Sequence, residues 1–382
     1  MGSPPLKSVR NLDGVVAAQT RLSHVDGQAG QLTIAGYALE ELAGRVTFEE
    51  LAHLLWTGTL PTPQELAEIS REMARLRPLP QKTLEVVRAA AAVAPIDALR
   101  MACSTLSLDL KDPDDITPAA DLDAARLLTA RLPTALAAHI RASQGLDPLA
   151  PRADLSHAAN FLYMVHGREP DPVAASALDS YWVTVMDHGL NASTFTARVI
   201  ASTRSDMVSA VTGAIGALKG PLHGGAPGPV LDMLLDIHSA DRAESWLRTE
   251  LAAGRRIMGF GHRVYKVRDP RADVLSRVAE SMGGARLENR QLYELACEVE
   301  KIAVRLLEEQ KPGRNLRTNV EFFTALVLQA LGLEPRTFVA MFACGRTAGW
   351  CAHVIEQRAE DHLIRPQSEY IGAKNLTLPR QK

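Results

Sequence analysis

An excess of positive charge is the first thing this chain lacks. It carries 42 lysines and arginines against 44 aspartates and glutamates, a formal net charge of −2. That balance leaves no electrostatic drive toward nucleic acid. Long apolar runs are missing too. The longest, Phe322 to Leu333, is broken by Thr324 and Gln329 and is too short to span a bilayer. The first residues, Met1-Gly2-Ser3-Pro4-Pro5, lack the charged and apolar regions of a signal peptide, so the expected setting is the cytoplasm. Cysteine is scarce, with four residues at 103, 297, 344 and 351. Cys344 and Cys351 lie two helical turns apart, roughly 10 Å, which is too far for a disulfide. His353 stands near them, but without a CxxC or HxxxH pair the expected role is a buried packing thiol, not a metal ligand. Neither GxGxxG nor GxxxxGK[ST] occurs, and no internal repeat is present.

What the chain has is helical periodicity. Its 382 residues, 46% of them apolar, suffice for one large domain or two smaller ones. Thr47-Phe48-Glu49-Glu50 and Thr62-Pro63-Gln64-Glu65 are capping boxes opening amphipathic helices. Asp154 and Gly167, Pro172 and Gly189, and Ser205 and Gly220 bracket three more. A last long helix is expected from about Pro335 to Gln357, with a middle, Ala343 to Gly349, small enough for another backbone to approach. Period-2 alternation is weak everywhere except Gln31 to Gly36, the best candidate for a small N-terminal hairpin. The class is mainly α.

Glycine and proline cluster at 220–229 and 259–261, each beside histidine and arginine. His223 sits in a tight turn before a segment that reads as helical from about Val230. The positive end of that helix would disfavour an imidazolium, and a neutral imidazole suits donation to an enolate oxygen. A loop histidine capping backbone groups fits the same spacing. His262 follows Gly259-Phe260-Gly261, and Arg268 and Arg271 come soon after. Glu321 is a single carboxylate in an apolar setting, which must be paired or shifted in pKa. It reads either as a general base or as an acid satisfied by a helix N-terminus. Arg346 and Arg365 stand among apolar neighbours. Each would meet an anionic ligand or a structural partner such as Glu356. His188 ends a helix beside a polar run, and Arg255-Arg256 reads first as a solvated face.

Taken together, Asn191-Ala192-Ser193-Thr194-Phe195, Gly220-Pro221-Leu222-His223-Gly224-Gly225-Ala226, the stretch Met258 to Lys266 with Asp269-Pro270-Arg271-Ala272, Asn319-Val320-Glu321-Phe322, and Arg365-Pro366 resemble the citrate synthase family. The resemblance runs from Leu12-Asp13-Gly14-Val15 to Tyr370-Ile371-Gly372, in the family's order. It implies a large helical domain (1–223 and 327–382), a small one (224–326), and a homodimer with shared sites. It implies condensation of acetyl-CoA, or of propionyl-CoA in the 2-methylcitrate branch, with oxaloacetate. A paralogue that binds CoA or organic acids without turnover is the reading from another class; the presence of every polar group the reaction needs stands against it.

By the same resemblance, His223 would hold the thioester oxygen, His262 would donate to the ketone, and Glu321 would take the acyl proton. His188, Arg271, Arg346 and, from a second subunit, Arg365 would bind oxaloacetate. CoA would meet Arg255, Ile257, Met258, Gly259, Phe260, Gly261, Lys266 and Lys311. CoA is a co-substrate here, and no metal or permanently bound cofactor is expected. One departure stands out. The family's usual residue at position 321 is aspartate, and this chain has glutamate.

Overall fold

Threonine followed three residues later by glutamate opens two early helices, and in the computed structural model both capping boxes close: Thr47 and Thr62 each accept from the backbone of the glutamate that bonds back to them. The structure describes residues 12, 14–110, 112, 114–224, 227–284 and 286–378. Met1 to Pro5, and Gly225 and Ala226 of the glycine-rich motif, lie outside them.

The first elements are three short antiparallel strands, β1 (Ser23–Asp26), β2 (Gln31–Ile34) and β3 (Tyr37–Ala38), paired in that order. The expected hairpin is therefore a three-stranded sheet. Asp26 closes its first turn by accepting from the backbones of Gln28 (2.9 Å) and Ala29 (2.8 Å). Helices follow throughout: α1 (Leu39–Leu42), α2 (Phe48–Thr57), α3 (Pro63–Leu76), α4 (Gln81–Ala89), α5 (Pro95–Thr105), α6 (Pro118–Ser143), α7 (His157–His166), α8 (Pro172–Val185), α9 (Ala192–Ala201) and α10 (Met207–Leu218). After the His223 turn come α11 (Pro227–Ile237), α12 (Ala240–Ala252), α13 (Pro270–Gly283), α14 (Leu287–Gln310), α15 (Val320–Ala330) and α16 (Phe338–Glu360).

Helix α16 is the axis of the molecule and packs against α2, α5, α6, α8, α9 and α10. Its small middle serves one neighbour in particular. A Cβ on Gly345 would stand 2.6 Å from the Trp182 ring, and one on Gly349 would stand 2.0 Å from the Met186 carbonyl oxygen. Only glycine lets the end of α8 come so close, and that approach sets residues 187–188 against α16. Pro335–Glu360 is also long and apolar enough to cross a membrane by length and composition, although charged and polar residues interrupt it. In the structure 83% of its apolar window is buried inside the fold. Cys344 and Cys351 are free thiols buried on this helix. Helix α13 packs on α8 and α15, while α11, α12 and α14 contact one another beside them.

Candidate active site

The turn from α8 to α9 supplies the first group of side chains. Asp187 and His188 are both buried there. Asp187 meets His353 of α16, Oδ1 to Nε2, at 3.0 Å. The other ring nitrogen of His353 lies 3.2 Å from the Arg198 guanidinium, which can only donate, so the imidazole proton sits on Nε2 facing Asp187. Burial works against the Asp187 charge, but His353 and Arg346 hold its carboxyl below the usual range. Arg346 is buried, donates Nε to the Val185 carbonyl at 2.5 Å and lies over the Phe342 ring. Its Nη2 has no hydrogen-bond partner among the described residues. Burial, with Arg271 adding to it, lowers the guanidinium to about 10, so it stays charged at neutral pH. Glu356 does not pair with it; Glu356 binds Arg198 at 2.6 Å instead.

The second group comes from the loop before α13 and the start of α15. Gly261 N–H donates to Arg317 at 2.7 Å, Asn319 N–H to Gly259 at 2.9 Å, and the Asn319 side chain to Gly261 at 2.9 Å. Asn319 also caps α15. This ladder holds the His262 loop beside Glu321. Gly259 and Gly261 have positive φ, and the space beside Gly259 is filled by Phe322, at 2.7 Å from a Cβ built there. Asp269 ties the group together. It caps α13, accepts Arg271 through both carboxylate oxygens at 3.0 and 2.8 Å, and accepts Val320 N–H of α15 at 3.2 Å.

His262 Nδ1 accepts from the backbones of Val264 (3.0 Å) and Tyr265 (3.1 Å), so its proton must be on Nε2. Burial and Arg271 lower it to about 4, which keeps the ring neutral at pH 7. The His188 and His262 rings stand 5.5 Å apart edge to face, and Tyr265 OH lies 3.2 Å from His188 Nε2. Burial, then Arg271, His262 and Arg346, push His188 well below its usual value.

His223 is fixed from α9. Ser193 N–H lies 3.3 Å and its Oγ 2.9 Å from His223 Nε2, and the backbone amide can only donate. The proton is thereby left on Nδ1. Trp350 Nε1 donates to the same Ser193 Oγ at 3.1 Å. The ring is lowered to about 4, first by burial and then by Arg346.

Glu321 completes the cluster. Its Oε2 is shut off from solvent and has no hydrogen-bond partner among the described residues. Burial raises its carboxyl to about 7; Arg271 opposes the rise and Asp269 adds to it. A carboxylate at the N-terminus of α15 is thus not spent on capping, because Asn319 does that work.

Other expected residues lie elsewhere. Arg365 is exposed on the extended segment after α16. Arg255 is at the surface, paired with Glu250, Lys266 is exposed, and Lys311 is half-buried at the end of α14. Ile257 and Phe260 are buried and Met258 partly so. Ser193, Tyr265 and Asp269 lie within the family motifs but carried no expected role, Asp187 carried none either, and His353 stood out only for its nearness to Cys344 and Cys351. Among the described residues no group of three or more His, Cys, Asp or Glu is arranged to hold a metal ion.

A shielded carboxylate raised to about 7, two neutral imidazoles with defined protons and two buried arginines are groups that can exchange protons and pair with an anion, the chemistry an acid–base site needs. The profile of the family described as "Citrate synthase, C-terminal domain" matches residues 11–367, and the chain belongs to the citrate synthase family, whose members are acyl-transferring condensing enzymes. It is 42% identical to a citrate synthase of Haloferax volcanii, with 96% of each chain covered. It is 39% identical to a 2-methylcitrate synthase of Mycobacterium tuberculosis, covering 97% of this chain and 92% of that one. It superposes with a TM-score of 0.88, at 30% identity and 96% and 97% coverage, on the Thermoplasma acidophilum citrate synthase solved in ternary complex with carboxymethyl coenzyme A and oxaloacetate.

Proposed function

We propose that the chain condenses acetyl-CoA with oxaloacetate and water to give citrate and CoA. The observation that carries this reading is Glu321 Oε2, shielded from solvent, without a hydrogen-bond partner among the described residues and within electrostatic reach of Arg271. In the first step Glu321 takes a proton from the acyl methyl, and His223 Nδ1–H donates to the enolate oxygen that forms. The enolate carbon then attacks the ketone carbon of oxaloacetate. His262 Nε2–H gives its proton to the ketone oxygen, and water finally cleaves the thioester. Thioesters are weak carbon acids, so a preorganised donor at the oxygen must share the work with the base. Arg271, Arg346 and His188 hold the two carboxylates of oxaloacetate.

The same reading assigns residues 1–223 and 327–382 to a large domain and 224–326 to a small one that closes over the substrates. It assigns the backbone of Ile257 to Gly261 to the CoA adenine, with Arg255, Lys266 and Lys311 toward its phosphates. It places the enzyme in the cytoplasm as a homodimer, with Arg365 completing the site of a second copy. The 39% identity to a 2-methylcitrate synthase favours propionyl-CoA as a second reading. One methylene is worth only about 1–3 kcal/mol in a pocket. Thiol release with oxaloacetate and either acyl-CoA, run with and without EDTA, separates the two. Acetyl-CoA is expected to have the higher kcat/KM, and EDTA to leave it unchanged; a preference for propionyl-CoA, or turnover restored only by a divalent ion, overturns the respective statement.

The shared site has its own test. Arg365→Ala and His262→Ala subunits, each nearly inactive alone, are expected to regain activity when mixed, because one site of the heterodimer then keeps both groups. Subunit exchange is established first with differently tagged copies. Exchange without recovery removes Arg365 from the partner's site.

A further inference from the structure

Residues of the N-terminal sheet touch both loops that carry His188 and His262. Ser23 Oγ of β1 accepts from Gly189 N–H, the residue after His188, at 2.8 Å. In the turn between β1 and β2, the Gly27 carbonyl accepts from Lys266 N–H at 2.8 Å. The approach at Gly27 is too close for any side chain. A Cβ there would lie 2.3 Å from the Val264 carbonyl oxygen and 2.9 Å from its Cγ1. At Gly30 it would lie 2.6 Å from Val267 Cγ2. The base of the sheet is anchored as well, since Arg21 N–H donates to Glu356 of α16 at 2.8 Å.

Val264 is itself an anchor of His262, because its N–H donates to His262 Nδ1. The next residue, Tyr265, donates its N–H to the same nitrogen and reaches His188 with its hydroxyl. Ser23 and Gly27 therefore grip the two ends of the unit His188–Tyr265–His262.

We propose that this sheet is a positioning brace: Ser23 and Gly27 set the separation of His188 and His262, and with it the placement of the oxaloacetate ketone. The role rests on the condensation reading above. Neither residue touches substrate, so both act through the histidines. Gly27 is the cleaner probe, because its φ is not positive and alanine there meets only a steric obstacle, whereas Gly30 at φ +68° would add backbone strain. Ordinary contact begins near 3.4 Å, so a methyl at Gly27 must push the Val264 carbonyl by about 1 Å. Misplacing a catalytic group by about 1 Å can cost on the order of a hundredfold in rate.

The test uses the full chain. Gly27→Ala is expected to lower kcat about a hundredfold and to raise the KM for oxaloacetate, with the KM for acyl-CoA within about twofold and the dimer and circular dichroism unchanged. Ser23→Ala is expected to weaken oxaloacetate binding by about fivefold, as one lost hydrogen bond would, and Ser23→Thr to restore it by keeping the hydroxyl. A folded Gly27→Ala enzyme with parental kcat and KM overturns the brace. If that variant does not fold, Ser23 decides: equal oxaloacetate Kd values for the alanine and threonine variants overturn it. A parent that releases no thiol with either acyl-CoA overturns the condensation reading alone, and the brace is then judged on oxaloacetate Kd by calorimetry. A parent that binds no oxaloacetate overturns both.

Discussion

Glu321→Gln is expected to abolish exchange of the acyl methyl protons and to lower kcat for condensation by about 10²–10⁴-fold, the range a general base contributes. Glutamine keeps the shape of the side chain and removes only its basicity. Two further readouts follow from the carboxyl's value of about 7. The base works only when ionised, so log kcat/KM of the parent should rise with pH and level off above about 7. His223 and His262 lie at about 4, so protonation of either ring cannot produce a limb near 7. Stability should move the other way. A carboxyl raised from 4.5 to about 7 on folding contributes stability that is fully present below pH 4.5 and is lost as pH rises through about 7. Glu321→Gln escapes that loss, so at pH 8 it should be more stable than the parent by on the order of 1–3 kcal/mol, read by denaturant titration. An inactive yet stabilised variant marks a residue kept for chemistry. Glu321→Asp should also be slower than the parent, since aspartate falls short by one C–C bond, about 1.5 Å. A Gln variant that keeps most of its condensation rate would place the base elsewhere.

His223→Ala is expected to lower kcat by about 10²–10³-fold, the cost of removing one preorganised donor to a developing oxyanion. Binding of oxaloacetate should stay within about twofold, because Arg271, Arg346 and His188 remain. The geometry gives the reason for this split. Ser193 holds Nε2 and leaves the proton on Nδ1, and Trp350 holds Ser193 from the other side. The hydrogen bonds fix one ring orientation, with Nδ1 as the donor. Single-turnover kinetics together with calorimetry measure the two quantities separately. Equal losses in both would make His223 a substrate-binding residue.

Much of this was readable before any coordinates. Capping boxes announced α2 and α3 to the residue, because their hydrogen bonds close within four positions. Boundaries drifted where the signal was weaker: the helix expected to open at Asp154 begins at His157 with Ser156 as its cap, and the last helix starts after a single 3-10 turn at Pro335. Arg346 shows where local reasoning stops. Glu356 looked like a partner in the chain, but ten residues along one helix is about 15 Å, beyond the reach of an ion pair. The resemblance sets Gly259 and Gly261 against CoA, and in the fold the Phe322 ring fills the space beside Gly259.

By itself, the amino-acid sequence determined the helical class, the small sheet, the family, and which histidines, arginines and carboxylate stand in its motifs. Those depend on residue type and on spacings of a few positions, which a chain carries without folding. Only the tertiary structure decided which nitrogen of each imidazole bears the proton, that Glu321 Oε2 has no hydrogen-bond partner among the described residues, and that Asp269 and Asp187 balance the buried arginines. It also decided that Ser23 and Gly27 press against loops 166 and 239 residues away. Protonation and burial are set by neighbours in space, and those neighbours come from elements far apart in the chain.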